Sequence, residues 1–194
     1  MKTFLMISLA AAALGFTACN SNSGTSNKAA PGSADTAGTP TALDTADQAV
    51  TAPTGEVIAA YLKIKNALAD DNGKSAAVAG TDLAVVIGNV AIPALKEEQK
   101  KVFAEVQQDM KEHAEHIGAN GGNIHHQREH FETLSQEVYE LARAGGTGGT
   151  LYLDFCPMYN KNKGAGWVSE TKEIRNPYLG KEMLTCGTVK EEIR

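Results

Sequence analysis

The chain has 194 residues, a formal net charge of −5 and 21% charged residues. This length allows one domain of ordinary size with appendages. The acidic balance excludes nucleic-acid binding through a basic face, which a phosphate backbone requires. Aromatic residues make up only 6% of the chain, whereas alanine and glycine are abundant. This composition favours helices and loops over a large β-sheet core.

The first residues have the pattern of a signal peptide. Lys2 gives a basic start, Phe4 to Leu14 form an apolar run, and small residues precede Cys19. The run is too short to remain in a bilayer as a spanning helix. A cysteine after small residues is typical of a bacterial lipobox, so we expect a signal peptide over residues 1–18 and lipidation of Cys19. The expected location is the cell envelope, as a membrane-anchored lipoprotein facing the periplasm. Ordinary secretion with cleavage near Ala18 is the alternative.

Residues 19–54 are expected to form a lipid-anchored, disordered tether. They are mostly Ser, Gly, Thr, Ala, Asn and Pro, with hardly an apolar side chain beyond Leu43 and Val50. Such a segment cannot bury enough apolar surface to fold. A flexible chain of this length has a root-mean-square reach of about 30 Å, which would let an anchored domain search for a partner.

Four segments carry apolar residues at helical spacing, such as Val78 in the second segment. The predicted helices are Gly55–Ala69, Lys74–Gly88, Pro93–Ile117 and Asn123–Arg143. Asn123 is the expected N-cap of the fourth helix, and Gly118 is the expected C-cap of the third. Because the connections are short, neighbouring helices are expected to be antiparallel, as in an up-and-down four-helix bundle over residues 55–144.

A smaller lobe is expected after the glycine-rich stretch that ends the bundle. Leu151–Phe155 alternates and is rich in strand formers, and Trp167-Val168 reads as a short returning strand. Thr188–Arg194 is expected to form a final helical turn. The predicted fold class is therefore mainly α. An antiparallel four-helix bundle is followed by a C-terminal lobe over residues 150–194 that contains a β-hairpin, all in one globular domain over residues 55–194.

All five histidines fall on the third and fourth predicted helices. They are His113, His116, His125, His126 and His130. Residues three or four apart lie on one helical face, and the short turn places His116 and His126 near the same end. One hypothesis is a metal site at this corner for an ion such as Zn(II) or Cu(II). The alternative is a run of solvated polar residues.

The C-terminal lobe carries two clusters of soft donors, each with a thiol and a thioether. These are Cys156 with Met158, and Met183 with Cys186. Thiolate and thioether select Cu(I)-like ions over hard cations. We therefore expect these four residues to be metal ligands, to which His126 or His130 adds a donor. Trp167, which lies between the clusters, is expected either to cap a bound cation or to anchor the lobe.

A disulfide between Cys156 and Cys186 is the main alternative to a metal site. Outside the cytoplasm such a bond can form, and it would stabilise the fold by about 3–4 kcal/mol in the entropic description. Both hypotheses stay open, and a reducible disulfide that gates a thiol site is compatible with either. A nucleophilic-cysteine enzyme is not expected, because no histidine lies near either cysteine in sequence.

Two sets of residues together resemble a known family. The C-terminal set is Cys156-Pro157-Met158, Gly164-Ala165, Trp167, Asn176-Pro177-Tyr178-x-Gly180 and Met183-Leu184-x-Cys186-Gly187. The upstream set is His126-Gln127-Arg128-x-x-Phe131-x-x-Leu134-Ser135. From about Val57 onward the chain resembles the family called domain of unknown function 3347.

The resemblance implies a periplasmic role in heavy-metal handling and no established catalytic activity. The family occurs in exported lipoproteins and at the C-terminal end of some CusB-like adaptors of copper/silver efflux systems. We expect a stand-alone lipoprotein that binds Cu(I) or Ag(I), for sequestration or for hand-over to an efflux adaptor as partner. The alternative is a non-catalytic, disulfide-stapled interaction module that docks on an envelope or efflux complex.

Overall fold

The computed structural model describes residues 54–145 and 147–194. The predicted signal peptide, the lipidation site Cys19 and all of the tether before Thr54 lie outside these residues. The described chain is mainly helical, with a small antiparallel sheet of three strands at its C-terminal end. Within it, no helix combines the length and the apolar character needed to cross a membrane.

Four long helices come first in the chain. They are α1 (Gly55–Ala69), α2 (Gly73–Gly88), α3 (Glu97–Ala119) and α4 (Ile124–Arg143). The bounds of α1 are those predicted from the sequence. The predicted N-cap of α4, Asn123, is confirmed, since its Oδ1 accepts the backbone N–H of His126 at 3.2 Å. Consecutive helices pack against one another, and α1 also touches α4.

The predicted start of the third helix at Pro93 is wrong. Pro93 lies in a separate 3₁₀ turn, Ile92–Ala94. Leu95 and Lys96 are extended, with ψ values of 148° and 158°. The helix therefore begins only at Glu97, where Gln99 Oε1 accepts the backbone N–H of Lys96 at 2.9 Å.

Two expectations about α2 and α3 also need correction. Val78 follows the apolar helical spacing of the second segment, but it is 65% exposed, whereas Leu83 and Ile87 are buried. Gly118 is not a C-cap, since α3 continues to Ala119 and Asn120 caps it. Gly118 instead lies at a close contact between α2 and α3. A Cβ on Gly80 would be 2.9 Å from the backbone nitrogen of Gly118 and 2.8 Å from the Ala114 carbonyl oxygen.

Two glycine-to-alanine substitutions in α2 are expected to have opposite effects. Gly80→Ala should destabilise the protein by about 1–2 kcal/mol, because the steric cost of overpacking exceeds the gain in helix propensity. Gly88→Ala should stabilise it by up to about 1 kcal/mol, since nothing lies within 4 Å of its Cβ position. Urea unfolding monitored by circular dichroism checks both. Equal effects of the two changes would contradict the close α2–α3 contact.

The sheet contains β1 (Leu151–Cys156), β2 (Ala165–Ser169) and β3 (Thr188–Ile193) in the order β2-β1-β3. The predicted hairpin corresponds to β1 and β2, which pair with Asp154 opposite Trp167. The predicted final helical turn is wrong, because Thr188–Ile193 pairs with the free edge of β1. That edge offers unpaired backbone groups, which a following extended segment can satisfy.

Aromatic side chains connect the helices to the lobe. Tyr61 of α1 stacks on Phe131 of α4 with ring centroids 5.1 Å apart, and Phe131 contacts Tyr178 at 5.6 Å. The Tyr61 hydroxyl lies 2.8 Å from Ser135 Oγ and accepts the backbone N–H of Val168 at 3.1 Å. The helices and the sheet therefore share one hydrophobic core, and the hydrogen bonds of the Tyr61 hydroxyl are buried within it.

Arg128 of α4 ties three separate segments together at the edge of this core. Its Nε donates to the Pro177 carbonyl at 2.8 Å. Its Nη2 donates to the Leu68 carbonyl at 3.0 Å and to Asp71 Oδ1 at 2.6 Å. Asp71 Oδ2 also accepts the backbone N–H of Lys181 at 3.0 Å. The α1–α2 turn and the lobe are thus attached to α4 through one guanidinium group.

A buried charged cluster joins α1 to the sheet. Lys65 is almost fully buried, and its Nζ lies 2.6 Å from Glu170 Oε2. Asp154 on β1 is fully buried, and neither of its oxygens has a hydrogen bond of good geometry, although the Trp167 indole lies beside it. Burial raises the pKa of Asp154 to about 7, against the opposing effect of Lys65. This carboxyl group is the least satisfied polar group of the lobe.

Candidate metal centre

The two cysteines lie side by side at one end of the sheet. Cys156 ends β1, and the pairing of Phe155 with Thr188 brings the chain just before β3 alongside it. The Cys186 thiol lies close enough to the Cys156 thiol and to the backbone N–H of Met158 for both groups to influence its pKa. Both cysteines are free thiols here. The disulfide expected as an alternative stays a prediction.

The environment of Cys186 keeps its thiol protonated at neutral pH. Cys156 is fully buried and Cys186 is partly buried. Burial first, and the adjacent Cys156 thiol second, raise the pKa of Cys186 to about 11. Because the thiolate is the form that binds a metal ion, any ion bound here must displace protons.

The Asn-Pro-Tyr turn holds the second cysteine in place. Asn176 is fully buried; its backbone N–H donates to the Leu184 carbonyl at 2.7 Å, and its Nδ2 donates to the Cys186 carbonyl at 2.7 Å. Its Oδ1 accepts the backbone N–H of Tyr178 at 2.8 Å. An asparagine before a proline predicts a turn, but this pattern does not identify Leu184 and Cys186 as the hydrogen-bond partners of Asn176.

Gly187 completes the same local structure. Its φ of 149° lies in a region that side chains rarely adopt, and a Cβ there would be 2.8 Å from Cη2 of Trp167. The Cys-Gly pair of the sequence pattern therefore lets the chain pass directly over the indole. Trp167 is fully buried and meets Tyr178 edge to face at 5.9 Å. This position fits the expected role of an anchor.

The two methionines differ from the thiols in burial. Met158 is 50% exposed and Met183 is 37% exposed. Met158 lines an open cavity of about 690 Å³ between α4 and the lobe, together with Arg128, Tyr159 and Tyr178. The thioethers are therefore more exposed than the thiols, and the cavity that Met158 lines is bordered by neither cysteine nor by Met183.

Four of the five histidines form a contiguous cluster between α3 and α4. His130 Nδ1 lies 3.0 Å from His113 Nδ1, and His130 Nε2 lies 3.2 Å from His126 Nε2. His116 stacks on His130 with ring centroids 4.3 Å apart. His125 points away and is 84% exposed. The predicted corner therefore exists, but with His125 outside it.

Three of these imidazoles converge on one point. Candidate ligand atoms of His116, His126 and His130 all lie within 4.8 Å of one another, and no cysteine belongs to this group. Burial lowers the pKa of His130, as it does that of His113, so both are neutral at neutral pH. His126 or His130 was expected to add a donor to the metal ion bound by the four sulfur residues. Both instead belong to a separate imidazole cluster.

Comparison with known proteins gives one match. Residues 57–150 match the family described as protein of unknown function (DUF3347). The match contains the upstream histidine-containing set of residues and stops before Cys156. No curated protein and no solved structure matches the chain. Residues 57–150 are therefore similar to the DUF3347 family of proteins of unknown function, the family that the sequence resembles.

Proposed function

We propose that this protein is an envelope lipoprotein that binds a soft metal ion, Cu(I) or Ag(I), and either sequesters it or hands it to an efflux adaptor. The observation that carries the proposal is the direct neighbourhood of the Cys156 and Cys186 thiols. The signal peptide, the lipid on Cys19 and the periplasmic location are parts of the same proposal and rest on the sequence pattern.

The chemistry of the donors supports a soft ion rather than a hard one. Two thiolates bind Cu(I) preferentially, and a thioether can complete the coordination without adding charge. The exposed Met158 and Met183 would meet an arriving ion first, and the more deeply placed thiols of Cys156 and Cys186 would hold it. Such a gradient from surface to interior suits uptake and release, and it requires no catalytic step.

In this proposal the helices serve as a scaffold. We propose that α1 to α4 form an antiparallel four-helix bundle, which the short connections and the packing of each helix on the next support. The lobe with the dithiol is attached to this bundle through Arg128 and the aromatic contacts. The bundle would thereby hold the dithiol in a fixed position relative to a partner.

Anaerobic Cu(I) titration tests the function. Reduced wild-type protein should bind one Cu(I) in competition with a chromophoric Cu(I) chelator, and Cys156→Ser/Cys186→Ser should lose at least about 100-fold in affinity, because both anionic donors are gone. Met158→Leu, a change in an exposed side chain, should lower the Cu(I) affinity by a smaller factor. Equal Cu(I) affinity in the wild type and the double-serine variant would rule out this function.

The second candidate is a non-catalytic interaction module stapled by a Cys156–Cys186 disulfide. The same neighbourhood of the thiols favours it, since a disulfide requires that proximity. A count of free thiols, on protein isolated from the envelope without reductant, separates the candidates. No free thiol and no copper would favour the stapled module, whereas two thiols with copper would favour the metal-binding protein.

A further inference from the structure

The histidine cluster has the spacing of a coordination site. The Nε2 atoms of His126 and His130 lie 3.2 Å apart. In a tetrahedral site with metal–nitrogen distances of about 2.0–2.1 Å, two ligand nitrogens lie about 3.3–3.4 Å apart. His116 is the third donor, within 4.8 Å of the other two, and its half-exposed side chain can adjust by rotation.

Outer partners orient two of these rings toward the same point. Glu129 Oε2 lies 3.2 Å from His126 Nδ1. A carboxylate only accepts hydrogen bonds, so His126 carries its proton on Nδ1 and presents the Nε2 lone pair. His130 Nδ1 is engaged by His113 at 3.0 Å, which leaves His130 Nε2 facing the same space. Carboxylate or imidazole partners of this kind fix the tautomer of metal-binding histidines.

From this geometry we propose that His116, His126 and His130 form a second metal site, which takes a divalent transition ion such as Zn(II). Neutral imidazole suits Zn, Cu and Ni, whereas Mg and Ca prefer carboxylate and carbonyl oxygens. Three protein ligands leave the fourth position of a tetrahedral ion for water or an incoming ligand. The rings lie at the surface between α3 and α4, so the ion is exchangeable.

This site differs from the dithiol in both place and chemistry. The dithiol lies at the end of the sheet and offers sulfur, whereas the histidine site lies near the α3–α4 turn and offers nitrogen alone. Soft and borderline ions would therefore be sorted between the two sites. The inference does not rest on the proposed Cu(I) function, because no residue is shared.

Cobalt and zinc titrations of the purified protein, without a polyhistidine tag, test the site. We expect one Co(II) to bind with the visible bands of a nitrogen-ligated ion and without the intense thiolate-to-cobalt band that cysteine ligation would give. Zn(II) should displace it. In competition with a chromophoric chelator, His130→Gln should weaken Zn(II) binding by more than the roughly 10–100-fold typical of losing an outer partner.

Matched variants keep the test specific. His125→Gln, on the same helix but outside the cluster, should leave Zn(II) affinity within about threefold, while His113→Gln should weaken it about 10–100-fold as an outer partner. A thiolate-to-cobalt band, or equal effects of His125→Gln and His130→Gln in variants with wild-type circular dichroism, would overturn the inference. The triple variant His116→Gln/His126→Gln/His130→Gln should lose Zn(II) yet keep Cu(I), which separates failure of this site from failure of the dithiol.

Discussion

Replacing Arg128 with methionine is expected to destabilise the protein by about 3 kcal/mol. The guanidinium serves two backbone carbonyls, of Leu68 and Pro177, and the carboxylate of Asp71. Hydrogen bonds from a charged donor contribute about 1.5–3 kcal/mol each, and partly buried acceptors left without a donor add a cost. Methionine keeps much of the apolar contact but makes none of these bonds.

Arg175→Met is the matched control. Arg175 also bonds an aspartate of the α1–α2 turn, Asp70, but these side chains are 34% and 56% exposed, against 13% and 37% in the Arg128–Asp71 pair. Exposed pairs of this kind contribute less than about 1 kcal/mol. Chemical unfolding followed by circular dichroism should therefore separate the two variants by about 2 kcal/mol. Equal midpoints would contradict the role given to Arg128.

A second observable reports directly on the Arg128 contact. The hydrogen bond from Arg128 is the main reason that the pKa of Asp71 is lowered from its ordinary value. In Arg128→Met that pKa should rise toward the ordinary value. A carboxyl titration by nuclear magnetic resonance would detect the change. An unchanged Asp71 titration would mean that the contact is not maintained in solution.

Replacing Asp154 with asparagine is expected to make the protein more stable than the wild type above pH 7. Burial raises the pKa of this carboxyl group to about 7, so the folded state holds its proton after the unfolded state has lost it. The stability of the wild type therefore falls as pH rises from about 4 to about 7, by up to about 4 kcal/mol at about 1.4 kcal/mol per pKa unit. Asparagine has a similar shape and no charge to bury.

Unfolding free energies measured between pH 4 and pH 8 check this expectation. The variant should match the wild type within about 1 kcal/mol near pH 4 and exceed it near pH 8. A remaining slope of the same sign belongs to Glu137, whose pKa burial also raises to about 7. Asp82→Asn, at an exposed position of α2, controls for the change in net charge. Parallel profiles for Asp154→Asn and the wild type would refute the assignment.

Helix positions were largely predictable because they depend on local pattern. The helical spacing of apolar residues, and the helix-ending sequence Asp70-Asp71-Asn72-Gly73, were enough to place α1. Asn123, a residue that commonly caps helices, indicated the start of α4. The predicted start of α3 was wrong because a proline is equally suited to the first turn of a helix and to the short 3₁₀ turn in which Pro93 lies, and extended residues follow that turn. The strand at Thr188–Ile193 was missed because its partner, the edge of β1, is distant in sequence.

The candidate sites were predictable as sets of donors but not as geometry. Cysteines with a methionine close in sequence, and histidines three or four residues apart, indicated metal binding. The structure brings Cys156 near Cys186 and His126 near His130. Spacing alone could not separate the sulfur donors from the imidazoles, nor exclude His125. The buried Asp154 gave no sequence signal that distinguishes it from a solvated strand aspartate.

The order of strands has a consequence for biosynthesis. Since β3 follows β1 and β2 in the chain and pairs with β1 beside Cys156, the two thiols meet only once the segment that contains β3 has been synthesised. A nascent chain that ends before β3 would hold them apart as isolated sulfhydryls. If the lobe binds a metal ion as proposed, the order of the strands would disfavour binding before the lobe has folded.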